Sequence, residues 1–194
     1  MAPIVVKVGG SLFDLPDLGV RLEAWLKTLP PCDIILVAGG GPAADVIRDM
    51  DRVHQLGEKL SHNLALESLG LMTSVLLALV PPSLPLFRFG DPEGAPLGGE
   101  RPSLLVQDLN SFAAWDEQRP GGLPASWDVT SDSLAARVAE VMKASELILL
   151  KSVTIPPEMD WTEASRRGYV DGYFPNMIAR GVKARAVNLR QWQP

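Results

Sequence analysis

Two short apolar runs that stop at glycines open the chain. Ile4–Val8 is β-branched except at Lys7 and ends at Gly9-Gly10, and Ile34–Val37 leads into Gly39-Gly40-Gly41. Continuous apolar runs of this length, bounded by turn residues, are typical of strands buried on both faces. We therefore predict two parallel strands, each followed by a tight glycine turn.

Helical spacing of apolar residues recurs along the chain. Pro16 can open a first helix through Leu29, and Pro42 stands where the first residue of another helix belongs. Glu58–Val80 carries a near-regular leucine stripe, and its end is apolar on nearly every side. We expect the sheet and a second subunit to cover that end, which predicts a homo-oligomer. A further helix starts at Thr130-Ser131-Asp132 and runs to about Lys143.

Shorter strands complete the pattern. Pro81–Gly122 is rich in proline and glycine, and we interpret it as sheet edge and loops, with strands at Leu84–Phe89 and Ser103–Val106. Glu146–Leu150 and Val182–Leu189 have the composition of two more strands. The alternation of strands and helices predicts an α/β fold, a three-layer α-β-α sandwich around a mostly parallel central sheet.

Composition narrows the classes of protein. The 194 residues fit a single domain over 1–194, with 46% hydrophobic and 21% charged residues, which is typical of a soluble protein. The net charge of -5 without a dense Lys/Arg block argues against a nucleic-acid partner. The first apolar run is interrupted by Lys7 and is no secretory signal, and Leu69–Val80 is too short to span a bilayer. We expect a cytoplasmic protein with no membrane partner.

Lys7 is the first candidate for chemistry. A lysine in an apolar strand is unfavourable to bury unless it emerges at the end of the strand, facing an anion. The glycines after it allow backbone N–H groups to approach phosphate oxygens, and a following helix adds its positive N-terminus. An edge-strand lysine that reaches water, followed by an ordinary turn, is the alternative.

The second glycine run is also ambiguous by itself. Three glycines lose much conformational freedom, which suits either a backbone that passes close to a ligand or a plain strand-to-helix turn. The run Gly39–Pro42 is neither the G-x-G-x-x-G pattern nor a P-loop. That argues against a nucleotide oxidoreductase and against a P-loop kinase.

Asp132 has two interpretations. A carboxylate in the first turn of a helix is favoured by the helix dipole, so Asp132 can be a simple cap. Phosphoryl transfer offers another role, because it needs cations around the developing charge and an anion that holds them. In that role Asp132 orients Lys7 or helps to bind Mg²⁺.

Taken in order, Lys7–Ser11, Gly39–Pro42 and Thr130–Ala136 resemble the amino-acid kinase superfamily, which includes acetylglutamate, aspartate, uridylate and isopentenyl phosphate kinases. The resemblance covers most of the chain and is weakest between Pro81 and Gly122. It implies an amino-acid-kinase-like fold and a phosphotransferase that uses ATP and Mg²⁺. The acceptor would be a small molecule with a carboxylate or a phosphate.

The resemblance also implies roles for individual residues. Lys7 would stabilise the transferring phosphoryl group, and Asp132 would organise the catalytic cations. The chain is shorter than most members of the superfamily and lacks their Gly-Gly-Met-x-x-Lys stretch. Lys151 is our candidate replacement for the lysine of that stretch. The alternative is that Lys151 is a surface lysine at a strand end. Asp171 would accept a ribose hydroxyl, although an Asp-Gly turn explains it almost as well. The implied nucleotide- and phosphate-binding residues are Gly9, Gly10, Ser11, Gly39, Gly40, Gly41, Ser152 and Asp171.

The short length, Leu149–Val153 and His62 are similar to a small branch of the superfamily linked to methanofuran synthesis, whose members convert an aminomethylfuran phosphate to its diphosphate. This similarity implies that His62 contacts the substrate, and a helix histidine satisfied by its neighbours is the alternative. The missing lysine stretch leaves a second function open, a catalytically degenerate binding protein of the same fold.

Overall fold

The computed structural model describes residues 2–81, 84–89, 97–99 and 102–193, and within them a single six-stranded sheet forms the middle layer. Every neighbouring pair of strands is parallel. In chain order the strands are β1 (Ile4–Val8), β2 (Ile34–Ala38), β3 (Leu86–Phe87), β4 (Leu104–Gln107), β5 (Glu146–Lys151) and β6 (Ala184–Asn188). Their spatial order is β3-β4-β2-β1-β5-β6.

Helices cover both faces of the sheet, so the predicted three-layer α/β sandwich is confirmed. Val5 and Leu149 pack on one face with Leu134, whereas Val6 and Leu150 pack on the other with Leu18. This alternation follows from the two-residue repeat of a strand. The helices are α1 (Leu18–Leu26), α2 (Gly41–His54), α3 (Glu58–Leu79), α4 (Leu109–Asp116), α5 (Ser131–Val141), α6 (Trp161–Arg166) and α7 (Phe174–Ala179), with a 3₁₀ turn at Gly10–Leu12.

The middle of the chain differs from the prediction. Pro81–Gly122 contains a helix, α4, where we expected only loops and edge strands. The Asp108 carboxylate caps α4 by accepting a hydrogen bond from the Asn110 N–H at 3.1 Å. Phe112, on the inner side of α4, is fully buried. The strand expected over Leu84–Phe89 is only two residues long, and the strand expected at Ser103–Val106 is shifted by one residue. Residues 82–83, 90–96 and 100–101 of this stretch lie outside the described residues.

Three other helices also need comment. The first predicted helix is shorter than expected: α1 begins two residues after Pro16 and ends at Leu26, with single turns continuing to Leu29. The short helices α6 and α7 were not predicted, since six residues are too few to display a period.

The long helix α3 combines a packed face with an exposed apolar face. By length and composition alone α3 could cross a membrane, although core helices of soluble proteins pass the same test and 39% of its most apolar window is buried. Leu66 and Leu69 join the core on one side of the sheet, and Met72 and Leu76 join the core on the other. Its outer face leaves Leu71 59% exposed.

Parallel register brings the functional segments to one edge of the sheet. Lys7 of β1 lies between Val37 of β2 and Leu149 of β5. The glycine turns after β1 and β2, and the last residues of β5, therefore meet at the carboxyl edge. Open α/β sheets bind their ligands at this edge.

Candidate active site

Three charged side chains meet in the interior at this edge. The Lys7 Nζ atom lies 2.8 Å from Asp132 Oδ1, and the Lys151 Nζ atom lies 2.9 Å from Oδ1 and 2.8 Å from Oδ2 of the same carboxylate. The residues are only 4%, 6% and 9% exposed for Lys7, Asp132 and Lys151. Lys151 is therefore not the surface lysine of the alternative interpretation, and Lys7 does not reach water along an edge strand.

The strand period explains why the two lysines converge. Lys7 follows Val5 by two residues and Lys151 follows Leu149 by two, so both side chains point to the face that α5 covers. Asp132 lies in the first turn of α5 and meets them there. Its carboxylate pairs with both lysines, so a simple helix cap does not account for its position.

The charges of the cluster depend strongly on one another. Burial raises the pKa of the Asp132 carboxyl, but the ammonium groups of Lys151 and Lys7 outweigh burial and hold that pKa well below its usual range. Burial lowers the pKa of Lys151 to about 8, against the attraction of Asp132, and repulsion from Lys7 acts in the same direction as burial. With both lysines protonated, two positive charges share one negative charge. The cluster then presents net positive charge to an anion.

Asp171 has a structural role that we did not predict. Its carboxylate accepts hydrogen bonds from the N–H and hydroxyl of Thr130 at 3.1 and 2.9 Å, from the N–H of Ser133 at 2.9 Å, and from the Ser133 hydroxyl. The Phe174 N–H adds a fifth donor at 3.1 Å. These contacts occupy both carboxylate oxygens, so Asp171 anchors the first turn of α5, and through it Asp132, and does not offer a free acceptor to a ribose.

The two glycine turns press against each other above Lys7. A Cβ atom added to Gly10 would overlap the backbone nitrogen of Gly41, and one added to Gly39 would lie 2.7 Å from the Gly10 nitrogen and 3.1 Å from Lys7 Nζ. Gly41 also has a φ of 50°, which favours glycine. Close backbone approach therefore requires glycine at these positions. The N–H groups of Gly9 and Gly39 donate to the carbonyls of Leu150 and Val8, so these two glycines do not offer the phosphate donors that the resemblance implied.

Two cavities adjoin these turns. The first, the apolar cavity, has a volume of about 250 Å³. Leu66, Leu69, Val129 and Leu134 contribute its apolar lining, and His62 contributes an imidazole. The second, the cationic cavity, has a volume of about 570 Å³. It contains the three-residue cluster together with Gly9, Ser152, Arg167 and Gly172.

Further predicted residues lie at these cavities. Ser11 lines both, and its hydroxyl lies 2.7 Å from the Ser152 hydroxyl, which joins the first glycine turn to the end of β5. Gly40 and Gly41 line the apolar cavity. His62 is 6% exposed, and no side-chain hydrogen bond engages it within the described part of the chain. The imidazole therefore lies at the apolar cavity, where a ligand can contact it.

Sequence reasoning missed Arg48 and Trp127, which line both cavities. Arg48 stands among the exposed residues of α2, where nothing in the pattern distinguishes it from Arg52. Trp127 lies three residues before Thr130, and an aromatic residue near a polar motif is the only signal for it. Their contact across the cleft depends on the fold.

The fold matches that of known kinases. A uridylate kinase from Archaeoglobus fulgidus superposes with a TM-score of 0.61 at 17% identity, over 96% of this chain and 90% of that one. An aspartate kinase from Synechocystis superposes with a TM-score of 0.58 at 13% identity, over 94% of this chain and 37% of that one. No protein-family model matches the chain. The chain therefore has the amino-acid-kinase-like fold that the resemblance implied.

The chain is also similar in sequence to a known kinase. The chain is 26% identical over 155 residues to (5-(aminomethyl)furan-3-yl)methyl phosphate kinase from Methanocaldococcus jannaschii. The matched region covers 77% of this chain and 65% of that protein. The chain therefore spans about two thirds of the length of the relative that it matches.

Proposed function

We propose that the protein is an ATP-dependent small-molecule kinase that transfers the γ-phosphoryl group to a phosphate or carboxylate acceptor. The observation that carries the proposal is the buried cluster of Lys7, Asp132 and Lys151 beneath two glycine turns. Phosphoryl transfer requires little covalent chemistry from a protein. It requires fixed positive charge and N–H donors around the transferring group, and this cluster supplies both.

The proposed reaction divides the work among the described residues. The Lys7 ammonium group, next to the glycine N–H groups, stabilises negative charge on the transferring group, and Lys151 adds the second cation. Asp132 keeps both cations in place, and Ser11 and Ser152 supply hydroxyls at the rim. An acceptor oxygen bonds to the γ-phosphorus while the bond to the bridging oxygen breaks, and that oxygen leaves with its electron pair as part of ADP.

ATP fits the cationic cavity by the chemistry of its lining. Glycines that tolerate no Cβ, four cationic side chains and the hydroxyls of Ser11 and Ser152 suit a polyphosphate. The protein offers few ligands for Mg²⁺. The residues that the structure describes contain no group of three or more His, Cys, Asp or Glu that could hold a metal. We infer that Mg²⁺ is held mainly by the phosphates that accompany it, as is usual for this ion.

The acceptor belongs in the apolar cavity. Its small volume and apolar lining suit a flat, compact body, and His62 offers a polar partner inside. The similarity to the aminomethylfuran phosphate kinase supports a phosphorylated aminomethylfuran as the acceptor, converted to its diphosphate. We assign His62 to contact with that acceptor.

Two further features belong to the proposal. Leu71, Val75 and Leu79 form an exposed apolar stripe at four-residue spacing along α3, and we infer that a second copy of the chain covers it. A charge substitution such as Leu71→Glu would then shift the protein to a smaller species in sedimentation. The expected co-substrate, ATP, is consistent with a cytoplasmic location.

The test is release of ADP in the presence of the phosphorylated aminomethylfuran, UMP or aspartate. Lys7→Met should lower kcat by about 10²-fold or more, the order expected when one charge-stabilising donor is lost. Lys27→Met is the matched control, because the Lys27 side chain is 72% exposed and, among the described residues, pairs with Glu23 alone. ATP binding without transfer to any acceptor would favour the degenerate binding protein, which the missing lysine stretch also motivates.

A further inference from the structure

The apolar and cationic cavities meet at a common wall. Five residues line both of them, and Arg48 is the only one of the five with a charged side chain. If one cavity holds the acceptor and the other the phosphoryl donor, the reacting groups meet beside this wall. The five residues are Gly10, Ser11, Arg48, Trp127 and Thr130.

Arg48 is held at the wall from one side. Its guanidinium carbon lies 5.5 Å from the centre of the Trp127 ring, a distance at which a cation is attracted to the ring face. The Trp127 Nε1–H donates a hydrogen bond of 3.3 Å to Asp51. Trp127 is therefore bound to the same helix that carries Arg48, and the stack closes the cleft between α2 and the segment before α5.

The guanidinium keeps most of its donors free. Its Nη1 group donates to Asp45 at 2.6 Å, and no other hydrogen bond engages it among the described residues. Its side chain is 49% exposed, so a ligand can reach it. Asp45 lines the apolar cavity as well and is itself 69% exposed. An anion entering the cavity can thus replace Asp45 as the partner of Arg48.

We propose that Arg48 is a specificity-determining residue that binds the anionic group of the acceptor and positions it at the wall between the cavities. The proposal rests on the proposed kinase function and extends it. It defines the acceptor as a small molecule with an oxyanion that an arginine fork holds at two points. The similarity to the aminomethylfuran phosphate kinase favours a phosphomonoester over a carboxylate. Trp127 orients the fork, and Asp45 competes with the acceptor.

The experiment measures binding of the phosphorylated aminomethylfuran, and of the same compound as its free alcohol, by calorimetry. Arg48→Gln should weaken binding of the phosphorylated compound by about 10- to 100-fold, the range expected for loss of a charged hydrogen-bond partner. Its effect on the alcohol should be less than about threefold. Arg48→Lys, which keeps the charge but not the fork, should fall between. Asp45→Asn should tighten binding of the phosphorylated compound.

Helix α2 offers a matched control. Asp49 and Arg52 form an ion pair of 2.9 Å with the same three-residue spacing, 69% and 76% exposed, and neither lines either cavity. Arg52→Gln and Asp49→Asn should leave both affinities unchanged. Binding of a fluorescent ATP analogue to each variant provides the second measurement, with changes below about threefold expected for Arg48→Gln.

Each other outcome identifies what has failed. If Arg48→Gln binds the phosphorylated compound as Arg52→Gln does, or if the wild-type protein does not bind it better than the alcohol, the inference is wrong. A loss of ATP-analogue binding with unchanged acceptor binding would assign Arg48 to the nucleotide and would also overturn it. Failure of the wild-type protein to transfer phosphate, with Arg48-dependent binding intact, would instead refute the kinase proposal alone.

Discussion

Replacing Asp132 by asparagine removes the one negative charge that two buried lysines share. The carboxylate lies within 2.9 Å of both ammonium groups, and all three residues are less than a tenth exposed. Asparagine keeps the shape of the side chain, so the change in packing is small. Breaking a buried ion pair by removing one partner costs about 3–5 kcal/mol, because the other charge remains in the interior without compensation.

Lys151 limits the loss because it can release its proton. Its pKa of about 8 means that deprotonation at pH 7 costs about 1.4 kcal/mol, and removal of the Asp132 charge lowers that pKa further. Neutral Lys151 leaves Lys7 as the uncompensated cation. The expected loss in free energy of unfolding at pH 7 is therefore that of one broken pair, about 3–5 kcal/mol.

The dependence on pH identifies the cause. A buried ammonium group without a counter-ion has a folded pKa below its unfolded value of about 10.4, so the unfolded chain binds more protons between the two values. Stability then rises with pH in that window, by up to about 1.4 kcal/mol per pH unit for each such lysine. Because this window opens at lower pH in Asp132→Asn, the difference from wild type should narrow from pH 7 to pH 9.

Urea unfolding followed by circular dichroism, at fixed protein concentration and at pH 7, 8 and 9, measures this difference. Asp49→Asn is the control, since it breaks an exposed pair on α2 and should change nothing measurable at any of these pH values. A loss below about 1 kcal/mol at pH 7, within the range of a surface pair, would refute the reasoning. So would a larger loss that stays constant with pH.

Three other predictions concern the same cleft. The kcat/KM for ATP should fall as pH rises through about 8, where Lys151 loses its proton. Lys151→Met should abolish this fall on the alkaline side of the pH profile and lower kcat by about 10²-fold. Gly10→Ala should weaken binding of a fluorescent ATP analogue and lower the free energy of unfolding by about 1–3 kcal/mol or more. The control is Gly70→Ala in α3, which should be neutral or slightly stabilising because the added Cβ would make only ordinary contacts. Asp171→Ala should lower the free energy of unfolding by about 2 kcal/mol in urea titrations, because the first turn of α5 loses its acceptor. The Asp171 charge also raises the pKa of Lys151, so its removal should move the alkaline fall in kcat/KM to lower pH; an unchanged pH profile would contradict this coupling.

The sequence indicated the sheet, the glycine turns and the lysine of β1 because each depends on local pattern. A β-branched run bounded by glycines can form little else, and parallel strands bring their carboxyl ends to one edge. Helix α4 was missed because the proline and glycine around it outweighed eight residues held by the Asp108 cap and by burial of Phe112. Composition averaged over Pro81–Gly122 does not detect a helix that tertiary packing stabilises.

The residues that sequence could not assign are those whose roles depend on contacts between distant segments. Asp171 lies 38 residues from Ser133 in the chain, and an Asp-Gly turn was the natural local interpretation of it. Arg48 is the clearest case, because Arg52 also pairs with an aspartate three residues before it but lines neither cavity. Only the path of the segment before α5 gives Arg48 an aromatic partner and a position between the cavities.

The arrangement of charge in the cleft depends both on local sequence pattern and on contacts between distant segments. Two lysines on adjacent parallel strands, at positions that the strand period turns to the same face, would repel each other without an anion between them. The anion comes from α5, whose first turn is held by Asp171, and the segment that carries Asp171 has no periodic pattern. The strands therefore determine where the positive charges lie, and a loop determines whether both can remain protonated. Net positive charge beneath glycine N–H groups is the property that the proposed phosphoryl transfer needs, and it exists here only because both contributions meet at Asp132.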